Sequence, residues 1–318
     1  MTAASAPGKV ILFGEHAVVS GAAALGGAID LRARVTVEDM PGRTQIDACN
    51  LMLQGFSYDL ISGQVNSTGA ANATRYISAV LKELEARDLK VSVESCIPAA
   101  SGLGSSAAIV VAAIAALNSH MDLRLPKKEI ASKAHEIEKS VQNGLGSPTD
   151  TALATYGGHC LVSSEIQLID LPGLELVVGC TGRPHDTRAE VERVQRLHRR
   201  RPEIVDLVFQ AIGSISSSAV SLMREQRLEE LGELMNVNHG LLEALGVGTR
   251  ELCEMIYAAR GAGRALGSKI TGAGGGGCMI ALPRPDGAAA LMVALEQARG
   301  TVFMARTGCE GVRLEADP

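Results

Sequence analysis

The sequence predicts an α+β protein in two compact domains, and three observations carry that expectation. The chain has 318 residues, 46% of them hydrophobic and 20% charged, enough apolar material for a core in each of two domains. Strand-like segments fill much of the first half and return after Ser268, while Thr187 to Ala259 is almost wholly helical in pattern. Between Lys90 and Leu117 a short strand, a glycine loop and a buried helix follow one another. The domain boundary falls near Pro172, dividing the chain into 1–175 and 176–318.

Val10-Ile11-Leu12-Phe13 reads as a strand running into the turn Gly14-Glu15-His16. Leu25 to Val37, Thr44 to Leu53 and Phe56 to Ile61 alternate well enough for further strands. Ala70 to Arg87 has the helical period, with Tyr76, Ile77, Val80, Leu81 and Leu84 on one face. Pro126 to Val141 is a helix opened by its proline, and the loop Gly144 to Asp150 follows it. Gly157 to Val162 and Gln167 to Leu171 form a hairpin, and Leu174 to Cys180 is the strand that enters the second half. There the helical pattern breaks at Pro202 and at Gly246-Val247-Gly248. Strands at Ser268–Thr271, Cys278–Leu282, Thr301–Arg306 and Gly311–Glu315 and a helix over Gly287–Arg299 complete the series.

Pro98 to Ala108 reads PAASGLGSSAA. Gly102 and Gly104 permit a tight turn, and Ser105 or Ser106 is placed to cap the helix that begins with Ala107 and Ala108. Such a loop binds an anion through backbone donors and the helix dipole. A plain turn with a helix cap explains the same residues. A dinucleotide fingerprint fits Gly102, Gly104 and Ala107, but the acid it needs at the end of a second strand is absent: Asp122 lies in a polar break. No lysine follows the glycines, so a Walker A loop is excluded.

Net charge is −5, which argues against general affinity for nucleic acid or an anionic membrane. The longest apolar run, Ala107 to Leu117, is too short to span a bilayer, and MTAASAPGKV lacks the order of a signal peptide. A cytoplasmic location is expected. The 7 cysteines are scattered without a C-x-x-C pair, so neither a disulfide framework nor a zinc site is predicted, and the thiols are expected to be reduced.

Three polar groupings stand out. Lys9, Glu15 and His16 gather at the end of a buried strand, where side chains are held rigidly. Glu138 and Asp150 flank a glycine-bearing turn and are oxygen donors of the kind magnesium takes, although an exposed helix charge and a first-turn acid account for them equally. Lys269 to Cys278 is a second glycine loop with five glycines in six positions. Each costs backbone entropy, which favours close approach to a ligand over an ordinary turn. The arginines from Arg193 to Arg201 read as a solvated helix face.

APGKVILFGEHAVV at 6–19, PAASGLGSSAA and KITGAGGGGC, in this order, resemble the three motifs of the GHMP kinase superfamily. Ser147-Pro148-Thr149-Asp150 and the stretch from Asn238-His239 to Gly248 are similar to its branch whose acceptor is mevalonate. The resemblance implies a GHMP kinase fold, with an N-terminal domain like ribosomal protein S5 domain 2 and a C-terminal ferredoxin-like domain. It implies ATP-dependent phosphorylation of the 5-hydroxyl of (R)-mevalonate, with Mg2+. Carried across, Pro98, Ala99, Ala100, Ser101, Gly102, Leu103, Gly104, Ser105, Ser106, Ala107 and Ala108 would wrap the ATP phosphates, and Ser106 with Glu138 would hold magnesium. Asp150 would accept the proton beside Lys9. Glu15, His16, Thr187, Arg188, Thr271 and Gly272 would line the substrate side. A homodimer is the family expectation. Phosphomevalonate kinase, a decarboxylase of the same pathway, homoserine kinase and a silent ligand sensor are the rival readings.

Overall fold

The computed structural model describes residues 1–48, 57–59, 65–66, 71–98, 101–144, 146–183, 186–261 and 264–316. The first sheet and its helices comprise β1 (Thr2–Phe13), β2 (Ala24–Asp39), β3 (Gln45–Ala48), β4 (Ser57–Asp59), β5 (Val65–Asn66), α1 (Ala71–Glu83), β6 (Leu89–Ser95), α2 (Ser105–His120), α3 (Lys127–Val141), α4 (Pro148–Tyr156), β7 (His159–Val162) and β8 (Ile166–Ile169). The second unit comprises β9 (Glu175–Cys180), α5 (Thr187–Arg200), α6 (Pro202–Arg224), α7 (Leu228–Ala244), α8 (Arg250–Gly261), β10 (Ala265–Thr271), β11 (Cys278–Pro283), α9 (Ala288–Gln297) and β12 (Thr301–Arg306). A last strand, β13 (Arg313–Glu315), returns to the first sheet. Parts of the strands expected at 44–53 and 56–61, with Cys49, lie outside the described residues.

The first sheet runs β13-β1-β2-β6-β3-β4-β5, with β7 and β8 attached through the start of β2. All its pairs are antiparallel except β3 with β6. β1 is buried along most of its length and shows no alternation, because helices α2 and α4 pack on it. α2 explains the unbroken apolar run: Ala107 to Leu117 are all buried, between the sheet and α1, α3 and α4. It begins at Gly104 in the left-handed conformation (φ 75°) without a side-chain cap, so the cap expected from Ser105 or Ser106 is not made. The hydroxyl of Ser106 is engaged elsewhere.

The second sheet runs β10-β11-β9-β12, wholly antiparallel. Counting its own strands in chain order, this is 2-3-1-4, the ferredoxin-like arrangement, with α5 to α8 inserted between the first two strands and α9 between the last two. α6 is long and apolar enough to cross a membrane by composition, yet Val205, Phe209, Ile212, Ile215, Ala219 and Met223 of its inner stripe are buried against the fold.

Two sequence expectations need correction. The break between 175 and 176 coincides with the start of β9, but Arg313–Glu315 pairs with Ala3–Ser5 of β1, so the second unit ends before the described chain does. Cys180 and Cys278 face each other across β9 and β11 and form a disulfide, whereas all cysteines were expected to be reduced. Cys160 is buried and Cys96 exposed as free thiols.

Candidate active site

The glycine loop is fastened to β1. The backbone N–H of Lys9 donates to the carbonyl of Leu103 at 2.9 Å, and Ser101 Oγ donates to the carbonyl of Pro98 at 2.7 Å. Ala99 and Ala100 lie outside the described residues. A Cβ on Gly8 would stand 2.8 Å from the Leu103 oxygen, and one on Gly104 would stand 2.8 Å from Lys9 Cγ. Neither separation is tolerable, so both positions need glycine. The Lys9 side chain therefore lies across Gly104 at the start of α2, whose first N–H groups have no partner within the helix.

The Lys9 ammonium ends 3.2 Å from Asp150 Oδ2, and Ser147 Oγ donates to Asp150 Oδ1 at 2.9 Å. Both oxygens of this carboxylate are thus oriented. Asp150 lies in the first turn of α4, after Pro148 at the helix start. Gly146 allows the α3–α4 turn to close, since a Cβ there would sit 2.6 Å from the Lys139 nitrogen. That closure brings Glu138 to the same place. Glu138 is 1% exposed and accepts from Ser106 Oγ at 2.5 Å and Gln142 Nε2 at 3.3 Å. Burial, followed by the negative charge of Asp150, pushes its carboxyl up to about 7. Burial and the Glu138 charge raise the Tyr76 phenol as well, opposed by hydrogen bonds with Ser106 and Gln142. Two acids sharing one lysine leave negative charge that a small dication would neutralise. The hard oxygens of Ser106 and Glu138 fit magnesium.

The opposite wall is the loop after β10. Thr271 Oγ1 donates to the Ile11 carbonyl at 2.9 Å and accepts from the Ile11 N–H at 3.1 Å. His16 Nε2 donates to the Ala273 carbonyl at 2.8 Å, and Glu15 forms a buried ion pair with Lys269. Burial pushes the Glu15 carboxyl up and the Lys269 ammonium down, each opposed by the partner's charge. Burial also lowers His16. These contacts stitch the two units together across the cleft. Glu15 and Thr271, expected on the substrate side, both take part in that stitching. At Gly272 the φ is 81°, and among the described residues nothing lies within 4 Å of where a Cβ would be. Gly274 is glycine because an added Cβ would stand 2.4 Å from the Val247 carbonyl oxygen, and Gly275 because its φ is 70°.

Thr187 and Arg188 open α5, which is capped by Asp186 through the N–H groups of Arg188 and Ala189. The exposed Arg188 guanidinium lies 3.4 Å from Glu192 on its own helix. Sequence reasoning missed Ser147, Tyr76, Gln142 and Lys269. Ser147 carried a signal, since serine directly before a proline-led helix marks an N-cap. Tyr76 sat on an apolar helix face and read as core.

The family model for the GHMP kinases N terminal domain matches residues 71–158, and that for GHMP kinases C terminal matches 219–300. The chain is 41% identical to the mevalonate kinase of Pyrococcus abyssi over 328 aligned residues, covering 98% of this chain and 97% of that protein. It is 37% identical to the mevalonate kinase of Archaeoglobus fulgidus, covering 98% and 99%. Among solved structures, L. major mevalonate kinase in complex with R-mevalonate superposes with a TM-score of 0.84 at 28% identity, covering 96% of each chain. Methanococcus jannaschii mevalonate kinase gives 0.83 at 27% identity, covering 96% and 98%.

Proposed function

Because this chain belongs to the GHMP kinases, in their mevalonate kinase branch, we propose that the cleft between the two sheets is where it phosphorylates mevalonate. The reaction transfers the γ-phosphoryl group of ATP to the 5-hydroxyl of (R)-mevalonate, giving (R)-5-phosphomevalonate and ADP on the route to isoprenoids. Phosphoryl transfer passes through a loose transition state, so alignment and charge neutralisation matter more than a strong base. The loop from Ser101 to Ser106 and the start of α2 offer backbone N–H groups to the ATP phosphates. Ser106 and Glu138 would hold Mg2+, which when bound supplies charge neutralisation on the phosphate oxygens.

Asp150 accepts the proton of the acceptor hydroxyl as the new O–P bond forms. Lys9 keeps that carboxylate aimed, and Ser147 fixes its other oxygen. His16 and the open side at Gly272 border the acceptor's place. The Lys9–Asp150 contact at 3.2 Å beside the Ser106–Glu138 pair is the observation that carries this reading. A cytoplasmic homodimer completes the proposal, and light scattering tests its stoichiometry.

A coupled ADP-release assay with mevalonate, phosphomevalonate, homoserine and galactose tests the reading. Turnover is expected with mevalonate, and turnover with another of the four alone overturns the assignment. Asp150→Asn is expected to fold, bind ATP and lose kcat by about a hundredfold or more. Near-normal kcat in that variant removes Asp150 as the base.

A further inference from the structure

One group of chemistry-bearing side chains remains unused by phosphoryl transfer. Among the described residues, ligand atoms of His239, Glu243 and Cys253 lie within 4.8 Å of one another. His239 and Glu243 are four residues apart on α7 and share a face, and Cys253 comes from the first turn of α8. Glu243 Oε2 stands 3.3 Å from His239 Nε2, and Glu243 Oε1 accepts from the Cys253 thiol at 3.0 Å. His239 is wholly buried, and among the described residues neither ring nitrogen makes a hydrogen bond, Nε2 having only the charge-pair approach of Glu243. A buried imidazole with two unmet nitrogens needs an explanation, and its edge contact with Tyr257 satisfies neither. Gly248 keeps space beside the group: a Cβ there would be 3.1 Å from Cys253 Sγ and 3.4 Å from Glu243 Cγ. The Glu243 side chain is 32% exposed, which gives water and ions a way in.

We propose that His239, Glu243 and Cys253 form a binding site for a divalent cation of the zinc class, separate from the phosphate cleft. Imidazole, carboxylate and thiolate together select zinc or cobalt over magnesium or calcium, and three protein ligands leave a fourth position for water. Glutamate and thiolate balance the two positive charges. Binding breaks the S–H bond of Cys253, and one proton passes to solvent for each ion bound. Arg260 and Lys269 are neighbouring cations; Arg260 is held by Ser268 Oγ at 3.2 Å and the Ser268 carbonyl at 2.8 Å, and Lys269 by Glu15. Positive charge here favours the thiolate and carboxylate forms of the ligands and repels the dication, so both anionic ligands are needed to hold it.

The site straddles the turn between α7 and α8. Within that turn the Val247 carbonyl accepts from the N–H of Gly275 at 2.9 Å. A cation joining the two helices therefore braces the turn on which the second glycine loop rests.

The full-length protein, stripped with a chelator, is titrated with Co2+ and followed by absorption. One equivalent should produce a thiolate-to-cobalt charge-transfer band, and Zn2+ should abolish it by displacement. Cys253→Ser should lose the band with an unchanged far-UV spectrum, and Cys96→Ser should keep it. Glu243→Gln, at a part-exposed position, should weaken binding about tenfold or more. In weak buffer, one proton should be released per ion. A band that survives in Cys253→Ser, or no band at stoichiometric cobalt, overturns the site.

Discussion

Glu138→Gln replaces an ionisable oxygen with an amide inside a pocket that resists charge. The folded protein holds this carboxyl at about 7 against an ordinary value of 4.5, chiefly through burial. At 1.36 kcal/mol per pH unit, that difference is on the order of 3 kcal/mol against ionisation. The unfolded chain loses the proton near the ordinary value and the folded chain only near 7. The stabilising contribution is therefore complete below 4.5, falls as pH rises through that window, and is gone above it. Glutamine keeps an acceptor for Ser106 Oγ and never ionises. Without Mg2+ or ATP, the variant should match the wild type below pH 4 and exceed it near pH 8 by up to about 3 kcal/mol. For a chain of this size that is a rise of roughly 5 °C in melting temperature. Thermal melts followed by far-UV circular dichroism at the two pH values read it directly, and the coupled assay should show the kinase impaired. A variant that melts no higher than the wild type at the alkaline pH refutes the reasoning.

Gly104→Ala forces a Cβ to 2.8 Å from Lys9 Cγ at a φ of +75°. About 1–2 kcal/mol of stability and most of kcat should be lost through displacement of the lysine from Asp150; unchanged steady-state kinetics would contradict the close-approach argument. Glu15→Gln leaves Lys269 buried without its counter-charge and should cost about 3–5 kcal/mol in denaturant unfolding. The double variant Glu15→Met/Lys269→Met should recover most of it, and equal losses in both would count against the pair. His159, buried beside Thr307 Oγ1 at 3.0 Å, is lowered to about 4 by burial. It must therefore lose stability as pH falls from its ordinary 6.5 toward 4, and His159→Gln should be less acid-labile by on the order of 3 kcal/mol. Parallel acid-unfolding curves for the two proteins would dismiss this.

The features legible in the sequence were those encoded locally. The unbroken apolar run of α2, the glycines at 102 and 104 and the proline that opens α6 each constrain their own neighbourhood, and the structure uses them accordingly. Lys9, Ser106, Glu138 and Asp150 were named together through the order of motifs, and the geometry brings them within reach. The Ser106 error is instructive: a serine at a helix start usually caps it, but this hydroxyl has a buried carboxylate 32 residues away in the chain as its partner. The partners of Glu15 and Thr271 are hidden from the sequence for a related reason. Lys269 is 254 residues from Glu15 and Ile11 is 260 from Thr271, and no periodicity reports a partner at that range. The sequence offers only the start of α4, at Asp150, because a short helix buried on most sides shows little amphipathic contrast. The Cys180–Cys278 disulfide spans 98 residues and follows only from the pairing of β9 with β11.

The return of β13 to β1 bears on the order in which the protein can be made. Ser5 Oγ donates to Glu315, a partner 310 positions later in the chain. During synthesis β1 emerges first, with a free edge of amide and carbonyl groups, and its closing strand emerges only after the whole second unit has been translated. Until then that edge is available to any other extended segment, including one from a neighbouring nascent chain. Arg32, which donates to the Ser5 carbonyl and the Gly311 carbonyl at 2.9 and 2.7 Å, places a charge beside this seam. A charged side chain at an unfinished edge is a safeguard against mispairing while the seam is still open.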